Sequence, residues 1–132
     1  MRVKATQTLA LAGVVLALAT ALSAFGAHAL RPQLPPDRYW LWETAVRYQY
    51  WQGLGLLGVG VTRRTLEAPV LRAAAGLVFA GLLLFSGSLY ALALHAPRVL
   101  GVLTPLGGAA SIIGWLAFAW GTWRGRDLRS PL

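Results

Sequence analysis

The sequence predicts an all-α membrane protein, a bundle of four transmembrane helices with both termini in the cytoplasm. Three observations carry that prediction. Hydrophobic residues make up 57% of the 132 residues and charged residues only 12%, against roughly 45–50% and about 25% in soluble domains. The charges gather into short segments and leave long runs free of Asp, Glu, Lys and Arg. The runs are joined by segments that carry turn and cap signals. The length fits one domain, residues 1–132.

The first charge-free run lies between Lys4 and Arg31 and holds 26 residues, above the ~18 that mark a transmembrane helix. Arg2 and Lys4 before it, with Ala27-His28-Ala29 at its end, also resemble a cleavable secretory signal. The run is longer than the ~7–15 residues of a signal's apolar region. Three more hydrophobic segments follow, so residues 8–30 are read as an uncleaved first helix. The segment Arg31-Pro32-Gln33-Leu34-Pro35-Pro36-Asp37 cannot be helix interior, because proline lacks the N–H donor and clashes with the preceding turn.

The second run, residues 48–62, is only 15 residues long. It reaches span length, 44–62, when the turn from Glu43 to Arg47 continues the helix. Those two residues sit at i and i+4 with the acid N-terminal, an order that suits their pairing and the helix dipole. Arg47 can extend its charged tip to the interface. The third run, 73–97, holds 25 residues. Pro69 suits its first helical position and Ala96-Pro97 ends it, giving a span of 70–95. The fourth run, 99–123, also holds 25 residues. Thr104-Pro105 reads as an N-cap with proline at the first helical position, giving a span of 104–123.

Orientation follows from Lys and Arg placement. One side carries Arg2, Lys4, Arg63, Arg64, Arg72, Arg124, Arg126 and Arg129; the other carries Arg31, Arg38, Arg47 and Arg98. The richer side is expected to face the cytoplasm of a bacterial plasma (inner) membrane. Trp120 and Trp123 fall at the inner boundary, and Tyr39, Trp40, Trp42, Tyr50 and Trp51 crowd the outer one.

Composition also excludes chemistry. Cysteine is absent, which removes disulfides, thiolate catalysis and Cys-ligated metal centres. His28, His95 and a few carboxylates show no metal-ligand spacing, so no metal and no cofactor are expected. The net charge of +8 is read as a topology signal and an attraction to anionic lipid. No folded basic face with stacking aromatics points to nucleic acid. No carboxylate lies in a span core, against an Asp or Glu proton relay. No phosphate-binding glycine loop or nucleophile–base pair is present, so the chain is not expected to be an enzyme.

Small residues recur four apart in three rows: Gly13, Ala17 and Ala21; Gly76 and Ala80; Gly107 and Ser111. Such rows let helices approach closely, within a four-helix bundle or across a homo-oligomer seam. With the termini inside, all four helices place polar side chains toward their outer ends. These are His28; Tyr48, Gln49 and Gln52; Ser86, Ser88 and Tyr90; and Thr104. Tyr48 and Gln52 share a helix face, as do Ser86 and Tyr90. Two readings compete. The residues are interhelical hydrogen bonds, Ser86 and Ser88 including bonds to their own backbone. Alternatively they line a pocket open to the outer leaflet, where helix N-termini and arginines would favour a carbonyl or phosphate. His28 is the one group of the cluster that titrates near neutral pH.

Four blocks in order carry a resemblance: Ala24-Phe25-Gly26-Ala27-His28-Ala29-Leu30, Trp42-Glu43-Thr44-Ala45-Val46-Arg47-Tyr48-Gln49, Leu84-Phe85-Ser86-Gly87-Ser88-Leu89-Tyr90, and Thr104-Pro105-Leu106-Gly107-Gly108 with Gly114-Trp115. They resemble the domain of unknown function 423 family, small YgdD-like inner-membrane proteins with distant eukaryotic relatives. The resemblance spans nearly the whole chain and implies a four-helix membrane protein. It carries no activity with it. Members of that family usually have a histidine three positions beyond the glutamine of the Tyr-Gln pair, where this chain has Gln52. The amide keeps hydrogen bonding and loses the proton switch.

The function expected is a lipid- or lipophile-binding protein, or an accessory subunit, with its polar cluster at the outer end. The alternative is a small oligomeric transporter or channel. Membrane lipids are the expected partners, with a homo-oligomer or a larger membrane complex left open.

Overall fold

The computed structural model describes residues 4–127. Arg2 and Arg129, counted in the expected orientation, lie outside the described residues. Four α-helices follow one another: α1 (Ala5–Phe25), α2 (Pro36–Thr65), α3 (Pro69–Ala93) and α4 (Leu103–Asp127). A π-helical turn, Gly26–Leu30, prolongs α1, and a 3-10 helix, Arg98–Val102, leads into α4. No strand occurs among the described residues, and the chain is an all-α membrane protein. Ala5–Leu30, Pro69–Ala93 and Arg98–Gly125 are long and apolar enough to cross a membrane. At 30 residues α2 is the longest helix. Its charges and amides keep it from meeting the same apolar criterion.

The helices pack in chain order, α1 on α2, α2 on α3 and α3 on α4, each antiparallel to the last. Side-chain pairs mark the registers. Arg63 meets Thr8 at one end of the α1–α2 seam and Trp42 meets Leu22 at the other. Ser88 meets Thr104 across α3 and α4. The end bearing Lys4, Arg63, Arg72 and Arg124 is called basal, and the end bearing Leu30, Trp42, Tyr90 and Thr104 apical. One apolar core lies between α1, α2 and α3 around Val15, Leu56, Val59 and Val78, with Trp115 and Phe118 of α4 packed against it. A second, apical core gathers Leu30, Trp42, Val46 and Ala93.

The helix ends have physical causes. Pro36 and Pro69 open α2 and α3 at positions where the missing N–H costs nothing. At the end of α3 the chain turns through a Schellman motif. The Ala96 N–H reaches the Ala91 carbonyl at 3.0 Å, and the His95 N–H reaches Leu92 at 3.2 Å. His95 takes the left-handed conformation, φ 67°, which ends α3 at Ala93 rather than at the expected 95. Thr104 is not an N-cap. The 3-10 helix feeds directly into α4 at Leu103, so Thr104 lies inside the helix and its hydroxyl turns to Ser88. The second helix begins at Pro36, eight residues before the expected span, because only Pro32 and Pro35 of the proline segment stay outside it.

The small-residue rows divide. Gly13, Ala17 and Ala21 are exposed, as are Gly76 and Ala80, so these rows are not seams between the chain's own helices. The row of Gly107 and Ser111 is such a seam. It faces Gly81 so closely that a Cβ built on Gly107 would lie 2.4 Å from the Phe85 backbone nitrogen. Close approach there needs glycine because the neighbour is backbone and cannot move aside.

Candidate functional site

The apical half of the molecule is tied together by hydrogen bonds between helices. Trp42 is the keystone. It is buried, not a member of an interfacial belt, because its indole lies on Gly26, which has no Cβ to exclude it. Its Nε1–H donates to the Leu22 carbonyl at 3.0 Å, just below the point where α1 widens into the π-turn. Phe25 and Tyr90 pack on the indole at centroid separations of 5.9 and 4.7 Å.

The eight polar residues singled out from the sequence do not converge on one cavity. Gln49 and Tyr90 form a relay through three helices. The Tyr90 hydroxyl donates to Gln49 Oε1 at 2.6 Å, and Gln49 Nε2 donates to the Val15 carbonyl at 3.0 Å. Both border an apolar groove of about 270 Å³ between α1 and α3, but their polar atoms are already engaged. Ser88 donates to its own helix at the Phe85 carbonyl, 2.9 Å, and accepts from Thr104 at 2.6 Å. His28 is exposed on the π-turn, and among the described residues it makes no hydrogen bond. Glu43 and Arg47, expected to pair, form no ion pair among the described residues; both instead line a groove against α1.

Tyr48, Gln52 and Ser86 do come together. They line a cleft of about 300 Å³ between α2, α3 and α4, closed by Leu82, Phe85, Gly108, Ser111, Ile112 and Trp115. Tyr48 packs on Phe85 and Trp51, with centroids 4.4 and 5.0 Å apart. Ser86 is buried and donates to the Ala45 carbonyl at 2.8 Å. The Trp115 Nε1–H donates to Gln52 Oε1 at 3.0 Å, which fixes the amide so that Nε2 remains. Three polar groups at the cleft have no hydrogen-bond partner among the described residues: the Tyr48 hydroxyl, Gln52 Nε2 and the Ser111 hydroxyl. Few polar groups in mostly apolar walls is the usual make-up of a small-molecule site, and the volume is at the small end of such sites. Hydroxyls and an amide NH₂ can donate to a carbonyl or other neutral acceptor. None of them is a base or a nucleophile poised for chemistry.

Ser111 and Trp115 were not among the expected site residues. Their signal is the spacing of Gly108, Ser111 and Trp115, which puts them on one face of α4. Arg63 is one of the charges expected on the cytoplasmic side. Its side chain is fully buried at the basal end, where it donates to Thr8 Oγ1 at 2.9 Å and to Glu67 at 3.1 Å. Arg72 reaches the same carboxylate at 3.2 Å. Desolvation, the largest single influence on Glu67, raises its pKa. The hydrogen bonds and charges of Arg63 and Arg72 together outweigh it and hold the carboxyl below its ordinary value.

A family model described as a protein of unknown function (DUF423) matches residues 22–108. The chain is 42% identical over 107 residues to a UPF0382 membrane protein of Staphylococcus saprophyticus, covering 81% of this chain and 88% of the relative. It is 44% identical over 100 residues to the UPF0382 membrane protein YwdK of Bacillus subtilis, covering 75% and 81%. A Staphylococcus haemolyticus relative of the same name is 48% identical over 93 residues, covering 70% and 75%. No solved structure matches significantly.

Proposed function

The chain belongs to the DUF423 family of bacterial membrane proteins, and on that premise we propose that it binds a lipophile without transforming it, in the cleft between α2, α3 and α4. One observation carries the reading. Tyr48, Gln52 and Ser111 bring uncommitted polar groups to an apolar cleft of about 300 Å³. In a bilayer an unpaired polar group is costly. A ligand with an apolar body and a carbonyl-like head would satisfy these groups and fill the space. Gln49, Tyr90, Ser88 and Thr104 hold the helices that shape the cleft, and His28 lies outside it.

The proposed setting is a four-span topology in the bacterial plasma membrane with both termini cytoplasmic. From Glu43 to Arg63, α2 rises by about 30 Å at 1.5 Å per residue, the thickness of a hydrocarbon core. Its polar groups are largely turned to neighbouring helices rather than to lipid, as Gln49 and Arg63 show. Lys4, Arg63, Arg64, Arg72 and Arg124 at the basal end outnumber Arg31, Arg38, Arg47 and Arg98 at the other, which supports a cytoplasmic basal end.

Native mass spectrometry of protein gently extracted from its own membrane tests the proposal. The expected result is an adduct of defined mass on the wild type, lost in Gln52→Leu and weakened in Tyr48→Phe while both variants stay folded. Bare wild-type protein, or an adduct retained equally by both variants, would overturn it.

A further inference from the structure

A separate cavity of about 410 Å³ lies on the α1–α2 side of the apical end. Its walls come from two rows with helical spacing. Ala27 and Arg31 stand on the π-turn and the residue after it, and Tyr39, Glu43 and Arg47 stand on α2. The charges in it are uncommitted. Arg31 touches only the face of Tyr39, its guanidinium carbon 5.9 Å from the ring centroid. Arg47 and Glu43 have no hydrogen bond or ion pair among the described residues. Three other arginines are engaged, whereas Arg64, Arg98 and Arg124 also lack a hydrogen bond or ion pair among the described residues. Arg38 donates to the Leu92 carbonyl at the end of α3, and Arg63 and Arg72 share Glu67. In this groove two guanidinium groups and one carboxylate without a hydrogen bond or ion pair among the described residues line the same space.

We infer that this groove binds the headgroup of a zwitterionic aminophospholipid, with the phosphate held by Arg31 and Arg47 and the ammonium by Glu43. Arginine suits a phosphodiester because its planar fork matches the phosphate oxygens. Two cations with one anion match a group that carries a phosphate and an ammonium, and do not match a simple anion. Depth agrees. Glu43 stands about 30 Å along α2 from Arg63 at 1.5 Å per residue, where hydrocarbon gives way to headgroups, and Arg47, one turn deeper, can extend its charged tip to that level. The tails also have a place. The face of α2 that carries Glu43, Arg47 and Tyr50 continues at the same spacing through Leu54, Leu57 and Val61, which are 55%, 40% and 56% exposed. A headgroup seated in the groove would lay an acyl chain along that strip. The site is separate from the α2–α3–α4 cleft and does not rest on it.

The full-length protein, in nanodiscs of phosphatidylethanolamine, phosphatidylglycerol or an equal mixture, is transferred to detergent, and retained lipid is counted by native mass spectrometry. From the mixture, phosphatidylethanolamine should be retained at least fivefold over phosphatidylglycerol. Arg31→Ala with Arg47→Ala should abolish that retention, while Arg98→Ala, at the same end and outside the groove, should keep it. Glu43→Gln keeps both guanidinium groups and should erase the preference while some lipid of either kind remains. Equal retention of the two lipids by the wild type would overturn the inference, as would undiminished retention by the double variant. Displacement of the lipid by millimolar inorganic phosphate or free phosphoethanolamine would overturn the lipid as the source of that chemistry. The wild-type preference and the Glu43→Gln result decide the matter even where the double variant does not fold. Loss of the cleft adduct in Gln52→Leu would leave all of these readings unchanged.

Discussion

Gln49 shows how much one side chain can join. Its amide accepts from Tyr90 of α3 and donates to the Val15 carbonyl of α1, so three helices meet on one buried residue. Interhelical hydrogen bonds of this kind contribute on average about 0.6 kcal/mol in membranes, with a maximum near ~1.7 kcal/mol. Removing one partner leaves the other buried and unpaired, and so costs more than removing both. Tyr90→Phe and Gln49→Leu should each lower unfolding stability by about 1 kcal/mol. The double variant should lose clearly less than the sum, because the two share one bond. Denaturant unfolding of the four proteins in one detergent measures the cycle, and strictly additive losses would show that the relay does not act as a unit.

At the scale of helices, glycine position decides what approaches what. Gly81 and Gly107 bring the α3 and α4 backbones together, and a Cβ on Gly107 would meet backbone at 2.4 Å. Gly76, one of the exposed rows, has nothing within 4 Å of where its Cβ would stand. Gly107→Ala should therefore force α3 and α4 apart and lower the thermal midpoint. Gly76→Ala should leave it unchanged or raise it, since alanine gains about 1 kcal/mol over glycine in a helix interior. A lowered midpoint for Gly76→Ala instead would mean that a second chain packs on that face.

For the molecule as a whole, the basal end is clamped by the Glu67 carboxylate, which receives Arg63 from α2 and Arg72 from α3. Its pKa is lowered in the folded protein. A lowered folded pKa contributes stability that is fully present above the unfolded value, about 4.3. That stability is lost as pH falls through the folded value. Glu67 is half-exposed, 47%, so solvent and salt screen the effect. Wild-type stability should fall as pH drops below about 4.3. Glu67→Gln should be less stable at neutral pH and should show a flatter acid limb in thermal unfolding. Parallel acid limbs for the two proteins would remove Glu67 as the source.

Membrane class and helix order were legible in the sequence because a bilayer admits few solutions for long charge-free runs; of the prolines, Pro36, expected outside any helix, opens α2, and Pro105, expected to open α4, lies inside it. Pro69 opens α3 as its position predicts, and three of the four expected spans meet the length and composition of a membrane helix. The partnerships were not legible. Spacing along one helix puts Tyr48 beside Gln52 and Ser86 beside Tyr90, but it says nothing of rotation against the next helix. Only the packed structure turned Ser86 and Gln52 toward one cleft, engaged Tyr90 and Gln49 with each other, sent Thr104 to Ser88 and left His28 outside. The same holds for Glu43 and Arg47, whose spacing favours a pair along one helix and which instead line a groove beside α1 with no ion pair among the described residues. Hydrophobicity sets which segments are buried in lipid, and it is a sum over residues that a sequence states outright. Hydrogen-bond partnership depends on ångström-scale distances between segments far apart in the chain, and those exist only once the helices have packed.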